Sequence, residues 1–290
     1  MTTQAPSEGW ITSDGLKLRY VAWGRADAPA LVLLHGLRSY ANTWEPVALP
    51  LLDRYRLIAL DQRGRGHSDW DPRRDYYAEA YVRDLEVLVD SLGLQRFVLV
   101  GHSMGGANAF VYASRHPERV AGLVIEDMGP GASAGSAGAD RIKRELLATP
   151  DHFDSWPAAT VFWRSQRPRI SKEALQSRVT HSLKEDAAGR IVWCHDAYGI
   201  AAARLSATPA QLVDLWPIVE GLSMRTLLIH GEQSDFLSTE TARRMAERNP
   251  LIRHVDIPDA THYVHDDNLP AFEQALHAWL ADLRGYGSAT

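Results

Sequence analysis

Gly101-His102-Ser103-Met104-Gly105 sets a serine between two glycines. A serine hydroxyl attacks a carbonyl carbon only when a neighbouring base removes its proton. The flanking glycines suit a turn too tight for side chains. These five residues directly follow the apolar run Phe97 to Val100 and open a stretch of helical character that reaches Arg115. A turn from strand to helix lifts a hydroxyl clear of a sheet and sets it at a helix N-terminus, where the dipole favours developing negative charge. The five-residue pattern is weak evidence alone. Its place between a strand and a helix makes Ser103 the candidate nucleophile.

The base must come from 12 histidines. His262, in Pro258-Asp-Ala-Thr-His-Tyr, lies five residues past the apolar segment Arg253 to Ile257. It therefore falls on a loop at the carboxyl end of a strand, the edge where sites assemble in open parallel sheets. His265 is followed by Asp266-Asp267, which reads as a cap for the last helix, so His262 is preferred. His102 and His35 read as structural neighbours. The imidazole needs an acid to hold its tautomer. Asp235, in the loop after Thr226 to Ile229, is the preferred acid, with Glu126 or Asp127 as the alternative. An oxyanion needs two donors, expected from the backbone N–H groups of Met104 and of Leu37 in Leu34-His-Gly-Leu-Arg. Arg38 is read as solvated, the usual state of an arginine. With Trp163 and Trp193 it is nevertheless kept as a candidate substrate contact.

These residues need a scaffold that brings distant segments to one edge. Leu31 to Leu34, Leu57 to Leu60, Phe97 to Val100 and Leu123 to Ile125 are apolar runs too short for helices and bounded by turn-formers. Between the second and third, Tyr81, Leu85, Leu88, Val89 and Leu92 fall at helical spacing. Alternating strand and helix signals predict a parallel sheet with crossover helices. The pattern breaks at Gly129 to Gly138, rich in Gly, Ala and Ser, and returns at Thr226. The intervening segment reads as helical with no convincing strand, and its length of roughly 90 residues exceeds an ordinary loop. The expected organisation is a core of residues 1–128 and 222–290 split by a helical cap, residues 129–221.

The motifs Leu33-Leu-His-Gly-Leu, Asp61-Gln-Arg-Gly-Arg-Gly-His-Ser, Gly101-His-Ser-Met-Gly-Gly and Asp259-Ala-Thr-His resemble those of the α/β-hydrolase superfamily, in family order and across essentially the whole chain. The resemblance implies an α/β fold with an eight-stranded, mostly parallel sheet, flanking helices and an inserted helical cap. It implies Ser103, Asp235 and His262 as a triad in the order such folds use, with Leu37 and Met104 at the oxyanion hole. Arg63, Arg65 and His67 look like a phosphate site but read as bracing for their loop. The elbow carries Ser rather than Asp, which argues against an epoxide hydrolase or haloalkane dehalogenase.

Composition fits this reading. Hydrophobic residues make up 45% and charged residues 23%, and the formal net charge is −5, so nothing favours nucleic acid or an anionic membrane as partner. One cysteine, Cys194, excludes an internal disulfide. The N-terminal residues lack the features of a signal peptide, so a cytoplasmic location is expected. His, Cys and acidic residues are not spaced as metal ligands, and neither metal nor cofactor is expected. The expected activity is hydrolysis of a carboxylic ester or lactone of a small, largely apolar substrate. Amide or carbon–carbon hydrolysis and a ligand receptor with little turnover are the alternatives.

Overall fold

The computed structural model describes residues 5–132, 135–208 and 211–283. It opens with a hairpin, β1 (Ser7–Ser13) and β2 (Leu16–Trp23), joined at Asp14-Gly15, both with positive φ. That dipeptide and conformation are typical of the tight turn whose twist matches its strands. The core continues with β3 (Ala30–Leu34), α1 (Glu45–Ala48), β4 (Arg56–Leu60), α2 (Ala78–Ser91), β5 (Phe97–His102), α3 (Met104–Arg115) and β6 (Val120–Glu126).

The segment after β6 contains α4 (Ala137–Leu147), β7 (His152–Phe153), α5 (Trp156–Gln166), α6 (Lys172–Ser182), β8 (Leu183–Glu185), β9 (Ile191–Trp193), α7 (Ala197–Leu205) and α8 (Leu215–Gly221). The core resumes with β10 (Thr226–Gly231), α9 (Thr239–Arg248), β11 (Ile252–Ile257), α10 (Val264–Asp267) and α11 (Leu269–Asp282). β7, β9 and β8 form a small antiparallel sheet where no strand was expected. Strands of two or three residues are too short to display a two-residue period.

The main sheet has eight strands in the order β1-β2-β4-β3-β5-β6-β10-β11. Pairing is antiparallel from β1 through β4 and parallel from there to β11. The central strands are continuous apolar runs because helices cover both faces. Alternate side chains feed two separate layers. Val32 and Leu34 pack with residues of α2, α3, α8 and α9, whereas Leu31 and Leu33 pack with residues of α1 and α11. This double burial fixes the strand register, since a slip of one residue would exchange the layers. The carboxyl ends of β3, β5, β6 and β10 are thereby held side by side. Among the described residues, no helix is long and apolar enough to cross a membrane.

Candidate active site

β5 runs through Gly101 and His102 into Ser103, the residue that caps α3. Ser103 has φ +52° and ψ −118°, a left-handed conformation unusual outside glycine. The turn is crowded. A Cβ on Gly101 would collide with the Gly105 carbonyl, and one on Gly105 with the Leu34 carbonyl of β3. The two glycines are thus required by the close approach of α3 to the sheet. Met104 opens α3, so its N–H lies among the helix's unpaired first donors.

His262 Nε2 lies 2.8 Å from Ser103 Oγ, and His262 Nδ1 lies 2.7 Å from Asp127 Oδ2. A carboxylate only accepts, so Nδ1 carries the ring proton and Nε2 is free to accept from the serine. All three side chains are buried. Asp127 follows β6, whose register sets Glu126 opposite His102. The backbone step from Glu126 to Asp127 is therefore adjacent to the elbow, and Ser103 N–H donates to the Glu126 carbonyl at 3.0 Å. Two further donors fix the Asp127 carboxylate: Gly231 N–H at 3.2 Å and the Ser234 hydroxyl at 2.6 Å.

Asp235, the acid preferred from sequence, is not joined to His262. Its carboxylate forms a two-pronged pair with Arg141 of α4, at 2.8 and 2.9 Å, and its side chain is 37% exposed. Hydrogen bonding to Arg141 is the main reason its pKa is lowered. In the loop after β10 it is Ser234 that turns inward, while Asp235 faces α4. Of the alternatives named from sequence, Asp127 meets the histidine and Glu126 does not.

Glu126 is instead bound by His265. Both carboxylate oxygens lie 2.8 Å from His265 Nδ1, and one also accepts His265 N–H. Burial would raise the Glu126 pKa, but the charge of His265 and its hydrogen bonds to the carboxylate hold it below its ordinary value. Burial would lower that of His265, but Glu126 and Asp266 hold it above. His265 also stacks on Trp44 and meets Thr43 Oγ1, so its carboxylate partner and packing are distinct from those of His262. Asp266 and Asp267 do not cap the last helix as expected from sequence. Asn268 does, while Asp266 pairs with Arg178 and Asp267 binds Thr261.

His102 and His35 brace the site, each with its pKa depressed by burial to about 4 and hence neutral at ordinary pH. His102 Nε2–H donates to the His262 carbonyl at 2.9 Å. His35 Nδ1–H donates to the Gly36 carbonyl at 2.8 Å, and Arg65 Nε–H to the Leu37 carbonyl at 3.2 Å, which fixes the loop bearing Leu37. Arg63 is wholly buried against Asp84, Asp71 and Asp14. His102, Glu126 and His265 bring potential ligand atoms close together, a grouping invisible in chain spacing. The hydrogen bonds just described engage all three side chains.

Two cavities meet at Ser103. One, of about 140 Å³, is walled by groups including Leu37, Tyr76, Tyr81, Met104, Ile200 and Leu215. The other, of about 30 Å³, is walled by Arg38, Glu145, Arg167, Arg178, His262 and Tyr263 among others. Arg38 is thus not solvated, as read from sequence, but only 7% exposed. Packing of its guanidinium over Phe162 and Trp163, 6.0 and 5.4 Å from their ring centroids, explains the difference, and nothing local in the sequence signals that contact. Trp163 and Trp193 line neither cavity. They pack in an aromatic cluster with Phe153 and Phe162, their indole N–H groups donating to Ser182 Oγ and the Pro150 carbonyl. Nothing in the sequence singles out Arg178.

Arg178 pairs with Asp266 at 2.6 Å, tying α6 to α10. Burial acts to raise the Asp266 pKa, but Arg178 and His265 override it and bring it to about 2, from an ordinary 3.8. The stabilisation is complete above the unfolded value and is lost as pH falls through the folded one. An Asp266→Asn protein is expected to be less stable at pH 7. Between pH 4 and 2 it should lose about 2 kcal/mol less than the wild type. Denaturant midpoints across that range check this, and parallel pH curves for the two proteins would refute it.

The sequence profile of the alpha/beta hydrolase fold matches residues 29–269. The chain belongs to the alpha/beta hydrolase fold family. It is 27% identical to a 2-(acetamidomethylene)succinate hydrolase of Mesorhizobium japonicum, over 88% of this chain and 92% of the relative. It is 28% identical to the sn-1-specific diacylglycerol lipase ABHD11 of Mus musculus, over 89% of this chain and 83% of that one. The crystal structure of E-2-(acetamidomethylene)succinate hydrolase superposes with a TM-score of 0.86 at 24% identity, covering 96% of this chain and all of the other. Family and relatives together support a hydrolase.

Proposed function

We propose that the protein is a serine hydrolase acting through an acyl-enzyme on Ser103. The observation that carries this reading is the buried chain from Ser103 Oγ through His262 to Asp127, with contacts of 2.8 and 2.7 Å. His262 takes the hydroxyl proton as Ser103 attacks a carbonyl carbon. Asp127 holds the ring tautomer and stabilises the imidazolium that forms. The N–H groups of Leu37 and Met104, beside Ser103 in the larger cavity, receive the oxyanion. His262 then gives its proton to the leaving group and later draws one from water, releasing the acid and restoring the serine.

A carboxylic ester or lactone is the substrate class favoured. The larger cavity is walled mainly by apolar and aromatic side chains and suits a small acyl or leaving group. One relative is an sn-1-specific diacylglycerol lipase, a name that agrees with an ester substrate. Residues 129–221 serve as a cap over both cavities, supplying Ile142, Arg167, Arg178 and Ile200 to their walls. An aryl fluorophosphonate tests the reading. One equivalent should add to the chain, and peptide mass spectrometry should place it on Ser103. Adduct formation at another residue, or none, would refute it.

A further inference from the structure

The smaller cavity is unusual in its chemistry. Arg38, Arg167 and Arg178 converge on it from the loop after β3, the end of α5 and the body of α6, and none is more than 7% exposed. Their acidic partners are few. Asp266 serves Arg178. Glu145 is shared by Arg38 at 3.2 Å, Arg167 at 3.6 Å and Arg141 at 2.7 Å. Buried N–H groups are left over: Arg38 Nε and Nη2, Arg167 Nε and Arg178 Nε have no hydrogen-bond partner among the described residues.

A buried guanidinium with unmet donors is costly unless something supplies an acceptor. Burial, and then the nearby charge of Arg167, lower the Arg38 pKa to about 10, in keeping with a site that holds more positive charge than its acids balance. Aromatic rings fix the faces of these groups. Arg167 lies 3.6 Å from the Tyr263 ring centroid, Arg38 5.4 Å and Arg178 5.2 Å from that of Trp163. Stacked faces leave the N–H edges to polar partners, the arrangement in which arginine grips a planar anion.

We propose that the smaller cavity is a carboxylate-binding subsite, so that the substrate carries an ionised carboxylate on one side of the carbonyl attacked by Ser103 and an apolar group on the other. This deepens the acyl-enzyme reading and rests on it. Ser103, Leu37 and Ile142 border both cavities, so one small molecule spans them with its scissile carbonyl at the serine. About 30 Å³ admits a group of a few heavy atoms. Glu145 on the wall disfavours a doubly charged phosphate.

Calorimetric titration of the full-length protein with 4-phenylbutyrate and with 4-phenylbutyramide tests the subsite without any turnover. The acid is expected to bind tenfold or more tightly than its amide, and Arg38→Met to bring that ratio near one. Equal binding of acid and amide by the wild type overturns the proposal, and that comparison needs no variant to fold. A preference that survives in folded Arg38→Met also overturns it. Hydrolysis of 4-nitrophenyl hydrogen glutarate against 4-nitrophenyl methyl glutarate separates the two readings. Turnover with no preference for the anionic ester sinks the subsite alone. Tighter binding of the acid with no turnover of either ester sinks the acyl-enzyme and leaves the subsite standing.

Discussion

Ser103→Ala is expected to lower kcat by about 10⁵- to 10⁶-fold on any ester the wild type cleaves, the scale of loss when a serine nucleophile is removed. The structure makes the size of the effect intelligible. His262 Nε2 has one serine partner at 2.8 Å, and Ser103 is held by a turn that its flanking glycines make possible. Without the hydroxyl no acyl-enzyme forms, and a water placed by His262 meets the carbonyl without the positioning that the elbow provides. Fold should be unaffected, since the methyl group of alanine occupies space already filled by the serine Cβ. Steady-state rates with 4-nitrophenyl butyrate, alongside a thermal melt, are the measurement. A variant within tenfold of wild type would remove Ser103 from the mechanism.

The second large effect separates two aspartates. Asp127→Asn is expected to reduce kcat by about 10⁴-fold. An amide at that position can present its NH₂ to His262 Nδ1, which moves the ring proton to Nε2 and leaves no lone pair facing Ser103. Asp235→Asn should stay within about tenfold, because its carboxylate is engaged by Arg141 and has no contact with the imidazole. The two variants measured side by side form the test. If Asp235→Asn proved the severe one and Asp127→Asn the mild one, the acid would be Asp235 after all, and the loop after β10 would have to reposition during catalysis.

Much of this arrangement is legible in the sequence, and the limits are physical. Ser103 is legible because its turn is a local event: strand, two glycines and helix lie within a dozen residues. His262 is legible because its loop follows a strand end. The acid is harder. Asp235 and Asp127 both follow strands that end on the correct edge, and β6 and β10 are neighbours in the sheet. Either loop therefore reaches the histidine, and the choice falls to which side chain turns inward, a matter of contacts such as Ser234 on Asp127. The edge hairpin has a single local signal, Asp14-Gly15, between strands that lack long apolar runs. The arginine chamber is the least legible feature, since Arg38, Arg167 and Arg178 are up to 140 positions apart and meet only when α5 and α6 pack beside the loop after β3. In a one-dimensional reading Arg38 and Arg167 pass for solvated arginines, with a contact to a substrate carboxylate as the lesser alternative for Arg167, and Arg178 carries no signal.

The strand order has a consequence for when the site comes into being. Synthesis runs from the N-terminus, so Ser103 and Asp127 leave the ribosome long before His262. His262 follows β11, which occupies the outer edge of the sheet and, among the described residues, pairs only with β10. On the proposed mechanism, a nascent chain that has already built its central strands would hold a nucleophile with no base and stay chemically silent until the last edge strand docks. Emergence of activity in a translation reaction would report completion of the sheet rather than its nucleation, and a chain truncated before β11 would be inert however well its remaining strands had formed.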